Sequence, residues 1–156
     1  MKIYLPFLGK TREKYLAAGI DDFANRLKHF VQFDCPVLKD KKKSAKDSPE
    51  RLKDEEARLL LQNISSAATI VALDPSGSQL SSDGFAELIS KWENQGVKEV
   101  AFLIGGPLGL ADEIIRKADL VLSLSQMTFT HEMARMLVFE QLYRAYTIKA
   151  GTGYHK

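Results

Sequence analysis

Cysteine is almost missing from this 156-residue sequence, since Cys35 is the only one present. A single cysteine excludes an intrachain disulfide, and without a CxxC pair a structural zinc site is not expected either. No stretch approaches the roughly 20 apolar residues that a membrane span needs, and the apolar run at residues 1–9 is too short for a signal peptide. We therefore expect a reduced, cytoplasmic protein with no membrane and no metal partner.

The sequence also has no large excess of charge of either sign. The 22 Lys and Arg residues against 20 Asp and Glu residues leave a formal net charge of +2. This balance excludes a strongly basic nucleic-acid coat and an acidic solvating tail. Cys35 has no activating neighbour in the sequence, so we expect a small core or strand residue rather than a nucleophile.

What the sequence does contain is an alternation of apolar runs and helical periods along its whole length, without a linker or repeat. We therefore predict one domain over residues 1–156, an α/β fold with a mostly parallel sheet flanked by helices. The predicted strands are 3–8, 31–38, 69–73, 100–104 and 119–124, with a turn at 74–77. The predicted helices are 11–29, one beginning after a Ser48 cap, one capped by Ser82, a short one ending at Lys117, and 131–148 capped by Thr130.

Ligands of such sheets bind beyond the carboxyl ends of the strands. Three loops leave carboxyl ends in the second half of the chain, after Leu73, Ile104 and Leu124. The glycine-rich stretch at 105–109 follows a strong strand and allows a ligand to approach the backbone closely. Its spacing is neither GxGxxG nor a P-loop, so a plain strand-to-helix turn stays open beside ligand contact.

The loop at 123–131 carries many hydroxyl groups where it would line the same crevice, and we interpret it as ligand-binding. His131 begins the sequence His-Glu-Met-Ala-Arg, which has Arg135 where a zinc motif needs histidine. His131 and Arg135 lie one helical turn apart and could hold an anion such as phosphate. A solvated helix face is the alternative.

The last residues, 151–156, include Tyr154 and His155, which is unusual for a terminus. Stacking on a base suits Tyr154, and phosphate contact or proton exchange suits His155; packing of the tail on the body is the alternative. The lysine-rich run 39–46 is interpreted mainly as a solvated loop, with a ribosomal RNA contact as the minor possibility.

Together these segments resemble the RlmH family of SPOUT-class methyltransferases over the whole chain. The resemblance is carried by a Met-Lys-Ile start, Ala-Leu-Asp at 72–74, Leu-Ile-Gly-Gly-Pro-Leu-Gly-Leu at 103–110, Leu-Ser-Gln-Met-Thr-Phe at 124–129, Glu-Gln-Leu-Tyr-Arg-Ala at 140–145 and a final Tyr-His-Lys. The family usually has proline where this chain has Thr130. Threonine caps a helix well, so we expect the loop to keep its shape.

The resemblance implies a SPOUT-type α/β trefoil knot in the C-terminal half, S-adenosylmethionine as cofactor and a homodimer. It implies N3 methylation of a pseudouridine in a stem–loop of 23S ribosomal RNA, on the assembled ribosome. The implied cofactor contacts are Leu73, Gly105, Gly106, Ser125, Gln126, Met127, Thr128, Phe129 and Thr130. The implied catalytic residues are Arg135, Glu140, Arg144, Tyr154 and His155, and the implied RNA contacts are His131, Arg144, Tyr154 and His155.

Two other functions remain open from the residues alone. One is a nucleotide- or dinucleotide-binding enzyme built on the glycine loop, although this loop follows the fourth predicted strand and not the first. The other is a non-catalytic RNA- or ribosome-binding module, in which only the tail and the basic residues matter.

Overall fold

The fold was analysed in a computed structural model, which describes residues 1–39 and 48–155. Five parallel strands form the main sheet in the order β3-β1-β6-β5-β7, and β2 pairs with β4 in a small second sheet. The lysine-rich run, apart from Lys39, lies outside the described residues. The strands are β1 (Lys2–Tyr4), β2 (Phe7–Leu8), β3 (Gln32–Asp34), β4 (Val37–Leu38), β5 (Thr69–Gln79), β6 (Glu99–Ile104) and β7 (Leu120–Ser123). The helices are α1 (Lys14–Leu27), α2 (Pro49–Leu61), α3 (Ser82–Asn94), α4 (Asp112–Lys117) and α5 (His131–Lys149), followed by a short 3-10 helix, Gly153–His155.

The predicted mostly parallel α/β fold is confirmed, but the first two predicted strands are each broken into two. Residues 3–8 divide into β1 and β2, and residues 31–38 divide into β3 and β4. Pro6 and Pro36 interrupt the two ladders, because proline has no N–H to donate. The two strand segments keep the same register on both sides of the breaks, since Phe7 N–H donates to the Pro36 carbonyl at 2.9 Å.

The core lies on both faces of the main sheet. Alternate residues of the strands point to opposite faces, so Val100 and Phe102 belong to one apolar cluster while Ala101 and Leu103 belong to the other. The larger cluster is covered by α1, α3 and α5, and the smaller one by α2 and α4. This double cover explains why β6 is apolar throughout.

Strand β5 is longer than the sequence predicts. The strand runs to Gln79, but Leu73 and Ser78 both pair with Leu122 of β7, so residues 74–77 leave the ladder where the turn was predicted. Asp74 holds the irregular stretch, because its Oδ1 accepts hydrogen bonds from the N–H and the hydroxyl of Ser76. The turn-forming residues therefore make a local irregularity within a strand.

Two of the three helix caps predicted from the sequence are present in the structure. Ser48 accepts from Arg51 N–H and Thr130 accepts from Met133 N–H, as predicted. The prediction of Ser82 as the cap of α3 is wrong by one residue, since Ser81 accepts from Gly84 N–H at 3.0 Å. Within the described residues, none of the helices has the length and apolar character that crossing a bilayer requires.

Gly77 provides a test of the β5–β7 pairing. A Cβ at this position would lie 2.5 Å from the Val121 carbonyl oxygen, which is backbone and cannot move aside. We expect Gly77→Ala to lower the free energy of unfolding by about 1–3 kcal/mol, the usual cost of overpacking. Gly153→Ala is the matched control, because its Cβ would meet nothing within 4 Å. Urea unfolding measures both, and equal stability of the two variants would contradict the close approach.

Candidate functional site

The three C-terminal loops meet at the carboxyl edge of the sheet and enclose a cleft of about 190 Å³. The position agrees with the one predicted from the strand order. Seven of the nine residues expected at a cofactor line it; Gln126 and Thr130 do not. The lining residues from that set are Leu73, Gly105, Gly106, Ser125, Met127, Thr128 and Phe129, and His131 joins them from the first turn of α5.

The glycine turn is both a tight turn and a wall of the cleft. Gly109 N–H donates to the Gly106 carbonyl at 3.0 Å, which closes the turn. A Cβ on Gly105 would lie 2.4 Å from the Gly109 carbonyl carbon, so no side chain fits there. The turn that the sequence left open is therefore present, and the same residues line the cleft.

Glu56 supports the glycine turn from α2. Its side chain is only 5% exposed. A Cβ on Gly106 would lie 2.6 Å from Glu56 Oε1, so the carboxylate occupies the space that a side chain at 106 would take. Any larger residue at 106 must displace this buried acid before it reaches the cleft.

The loop that follows β7 is fixed by its own hydroxyl groups. Buried Ser123 donates through Oγ to the Ser125 carbonyl at 2.9 Å, and Ser125 Oγ accepts from Met127 N–H at 3.0 Å. The Met127 side chain is nevertheless 74% exposed. A rigid loop backbone thus presents an uncovered apolar side chain at the cleft.

Arg135 does not have the exposed position that the sequence suggested. Its side chain is 2% exposed, which also contradicts the alternative of a solvated helix face. The guanidinium donates to the Leu8 and Gly9 carbonyls at 2.7 and 3.2 Å and to Thr11 Oγ1 at 3.2 Å. It also lies over the Phe7 ring, 4.6 Å from the centroid. In this arrangement Arg135 fixes the loop after β2 and forms no anion site with His131.

Glu132 fixes the other half of the same loop. Its Oε2 accepts from the backbone N–H groups of Arg12 and Glu13 at 2.9 and 3.1 Å, at the beginning of α1. Burial of the carboxylate opposes its ionisation, but the two N–H donors and the nearby charges of His131 and Arg135 outweigh burial and hold the pKa of Glu132 below its usual value. We call the contacts of Glu132 and Arg135 with residues 8–13 the α5 clamp.

Three of the residues expected at the reacting base, Glu140, Arg144 and Tyr154, form a separate cluster, which we call the tail cluster. Arg144 donates to Glu140 Oε1 at 2.9 and 2.5 Å and lies 4.8 Å from the centroid of the Tyr154 ring. Tyr154 donates to the same Glu140 oxygen at 3.4 Å and contacts the Tyr143 ring at 4.8 Å. Burial and the charge of Glu140 raise the pKa of Tyr154. The tail is thus packed on its own helix, and His155 is the last residue of the 3-10 helix.

A smaller cavity of about 70 Å³ lies between the cleft and the tail cluster. It shares Leu73, Leu122 and Leu124 with the cleft and reaches Gln141 on α5. Gln141 donates to Glu140 Oε2 at 2.6 Å and accepts from Ser82 Oγ at 2.9 Å. A continuous wall of residues therefore joins the cleft to Glu140.

Cys35 behaves as expected for a core residue. Burial and the charge of Asp34 raise the pKa of its thiol to about 12, so almost no thiolate exists at neutral pH. In the part of the chain that the structure describes, no group of three His, Cys, Asp or Glu side chains is placed to hold a metal ion.

Sequence reasoning missed several residues of this region. Asp74 and Pro75 line the cleft, and their place directly after an apolar strand was a usable signal that the predicted turn obscured. Glu56 and Glu132 gave no signal, because a helical glutamate is nearly always on a solvated face.

A parallel α/β sheet with a cleft at the carboxyl ends of its strands, walled by glycine backbone, is typical of the class of proteins that bind a small organic ligand at that edge. The comparisons narrow this class. Residues 1–155 match the family described as "Predicted SPOUT methyltransferase". The chain belongs to the SPOUT methyltransferase family and, within it, to the RlmH proteins.

The relatives that carry this assignment are named "Ribosomal RNA large subunit methyltransferase H". The one from Desulfotalea psychrophila is 49% identical over 157 residues and all of both chains, and the one from Christiangramia forsetii is 41% identical over 99% of both. The solved structure of a probable methylase family protein from Haemophilus influenzae Rd KW20 has a TM-score of 0.53 at 14% identity, covering 96% of this chain and 66% of that one. This last likeness supports the fold alone.

The α5 clamp predicts a defined dependence of stability on pH. Because the pKa of Glu132 is lower in the folded chain, the unfolded chain binds more protons, and the stability that Glu132 provides above the ordinary carboxyl pKa is lost as the pH falls below it. We expect Glu132→Gln to cost about 1–3 kcal/mol at pH 7 and to be closer to the wild type at pH 3–4. Urea unfolding at a series of pH values measures this. A constant difference between the two proteins would contradict the role of the charge, and Glu87→Gln, on the exposed face of α3, is the control.

Proposed function

We propose that this protein transfers a methyl group from S-adenosylmethionine to N3 of a pseudouridine in a stem–loop of 23S ribosomal RNA. The observation that carries the proposal is the cleft at the carboxyl edge, in which seven residues implied as cofactor contacts by the RlmH resemblance come together. The full-length relatives are named as methyltransferases of large-subunit ribosomal RNA, which supports ribosomal RNA as the substrate class.

The residues of the cleft fit the cofactor. Backbone groups of Gly105 and Gly106 are open to a close approach, since neither residue carries a side chain; at 105 a Cβ would meet backbone, and at 106 it would meet the Glu56 carboxylate. Leu73, Met127 and Phe129 supply apolar walls, and Ser125 and Thr128 supply polar groups. When bound, S-adenosylmethionine would supply a methyl group on a sulfonium, from which a neutral thioether departs as a good leaving group, so the protein's task is alignment rather than covalent catalysis.

The tail cluster is proposed to bind the target. Arg144 is a charged donor for phosphate, Tyr154 offers a ring face for stacking on an extruded base, and Glu140 holds both in place. His155 is proposed to bind phosphate or help remove the N3 proton, and His131 to contact RNA at the mouth of the cleft. For Arg135 the buried contacts favour a positioning role in place of the catalytic one that the resemblance implied.

We further propose a single-domain homodimer with a trefoil knot, acting on the assembled ribosome in the cytoplasm. The half-buried Met133 and Leu137 on α5 and the exposed Met127 and Phe129 support a partner subunit. Much of α5 is already covered within its own subunit, by α1 and α3. Pairing of β7 with β5, together with the meeting of the glycine turn and the 123–130 loop at one cleft, supports the knot.

The proposed reaction is tested by incubating the protein with labelled S-adenosylmethionine and ribosomes that lack the modification, followed by mass spectrometry of the 23S RNA nucleosides. We expect one methylated pseudouridine. Gly106→Ala should weaken cofactor binding at least tenfold in calorimetry, because its Cβ displaces Glu56. Adding Glu56→Asp, which shortens the acid, should restore part of the affinity, and Gly153→Ala should leave the affinity unchanged.

The results also separate the alternatives. Binding of NAD or a nucleotide instead of S-adenosylmethionine would establish the nucleotide-enzyme alternative. Ribosome binding without cofactor binding or methylation would establish the non-catalytic module.

The role of the tail is tested by mixing two inactive proteins. Deleting residues 154–156 should leave the melting temperature and cofactor affinity nearly unchanged while abolishing methylation. Mixed with Gly106→Val, which keeps its tail but loses its cofactor site, the truncated protein should regain activity if the tail of one subunit completes the cleft of its partner. Continued inactivity of the mixture would show that the tail works within its own subunit. Normal activity of the truncated protein alone would reduce the tail to packing.

A further inference from the structure

The loop between β2 and α1 carries a cluster of cations. Within five residues the sequence has Lys10, Arg12 and Lys14, opposed only by Glu13, and all four side chains are exposed. Tyr15 follows them with 64% of its surface exposed. Among the described residues, none forms an ion pair with the side chains of the three cations. Their charge is therefore directed to solvent.

This loop lies on the functional side of the sheet. It leaves the carboxyl end of β2, which continues the direction of β1, and β1 is the direct neighbour of β6. It also contacts the first turns of α5, the helix whose His131 and Ala134 line the cleft. The cations and the cleft thus border the same end of the same helix.

The α5 clamp holds the loop in one conformation. Glu132 binds the N–H groups of Arg12 and Glu13, while Arg135 binds the carbonyls of Leu8 and Gly9. Two buried charged side chains are costly unless their hydrogen bonds are satisfied, and here nearly all of those bonds go to this loop. Such fixing of the backbone lowers the entropy lost when the loop's side chains contact a partner.

We propose that Lys10, Arg12 and Lys14 form a phosphate-binding surface for the ribosomal RNA that flanks the target, with Tyr15 as an adjoining stacking platform. The inference rests on the proposed function, since it names a further contact with the same substrate. Exposed cations beside an exposed ring, on a rigid backbone, match the charge and the faces of a nucleic acid strand.

The test compares two triple variants of the full-length protein. Lys10→Gln/Arg12→Gln/Lys14→Gln removes the proposed contacts. Lys91→Gln/Lys98→Gln/Arg116→Gln removes the same charge from exposed positions that precede β6 and β7, at the amino edge of the sheet. Ribosome binding is measured between 50 and 250 mM salt, and methylation is measured as KM and kcat, with S-adenosylmethionine affinity as the check on the cleft.

For the loop variant we expect KM for ribosomes to rise at least tenfold at 150 mM salt, with kcat and cofactor affinity within twofold of the wild type. The slope of log Kd against log salt concentration should fall in magnitude by about 2–3, because each phosphate contact contributes roughly 0.7–0.9. The control variant should keep the wild-type slope.

Tyr15→Ala provides a second, independent arm. It should weaken ribosome binding by about 5- to 100-fold at every salt concentration, because stacking is not screened as charge is. Sedimentation of each variant shows that its oligomeric state is unaltered.

Equal salt slopes for the loop variant and the wild type would overturn the inference while leaving the proposed function in place. Failure of the wild type itself to methylate ribosomes would overturn the proposed function. An equal loss in the two triple variants would show that only overall charge matters and would likewise contradict a specific surface.

Discussion

Parallel pairing of β5 with both β6 and β7 is the constraint on which the site depends. Because the three strands are adjacent and point the same way, the segments after Leu73, Ile104 and Ser123 must all emerge at one edge. The close approach of Gly77 to the backbone of β7 keeps the pairing tight where β5 becomes irregular. The cleft is a direct product of this arrangement, and the first turn of α5 adds His131 and Ala134 to its lining.

Buried charged side chains of two helices lie against the loops at the carboxyl edge of the sheet. Glu132 and Arg135 lie three residues apart on α5, and both form hydrogen bonds with the backbone of residues 8–13. Glu56 occupies the equivalent position beneath the glycine turn. In each case a helix places a charged side chain that is shielded from water against a loop at the carboxyl edge. Hydrogen bonds to backbone are strong when one partner is charged, so the loop at residues 8–13 is positioned more firmly than its sequence alone would suggest.

The sequence was sufficient for the architecture and for the place of the cleft, because strand alternation and the direction of the sheet determine both. It was insufficient where local patterns conflict with tertiary contacts. Residues 74–77 have the composition of a turn and do leave the ladder, but the sequence did not show that β5 pairs with β7 again from Ser78. Arg135 is separated by more than 120 residues from the carbonyls that it binds, and no local sequence pattern predicts such a contact. Pro36 is unfavourable within a strand, but the sequence did not show that the ladder resumes beyond it.

Helix α5 also sets the distance between the cleft and the tail cluster. His131 lies at the cleft and Arg144 at the tail cluster, and the separation of 13 positions along the helix corresponds to roughly 20 Å at about 1.5 Å per residue. Tyr154 packs beside Arg144, at the far end of that length. A ring docked there lies at the other end of α5 from the part of the cleft beside His131. To bring a tyrosine ring to that part of the cleft, the tail must leave its docking place or belong to a second copy of the chain.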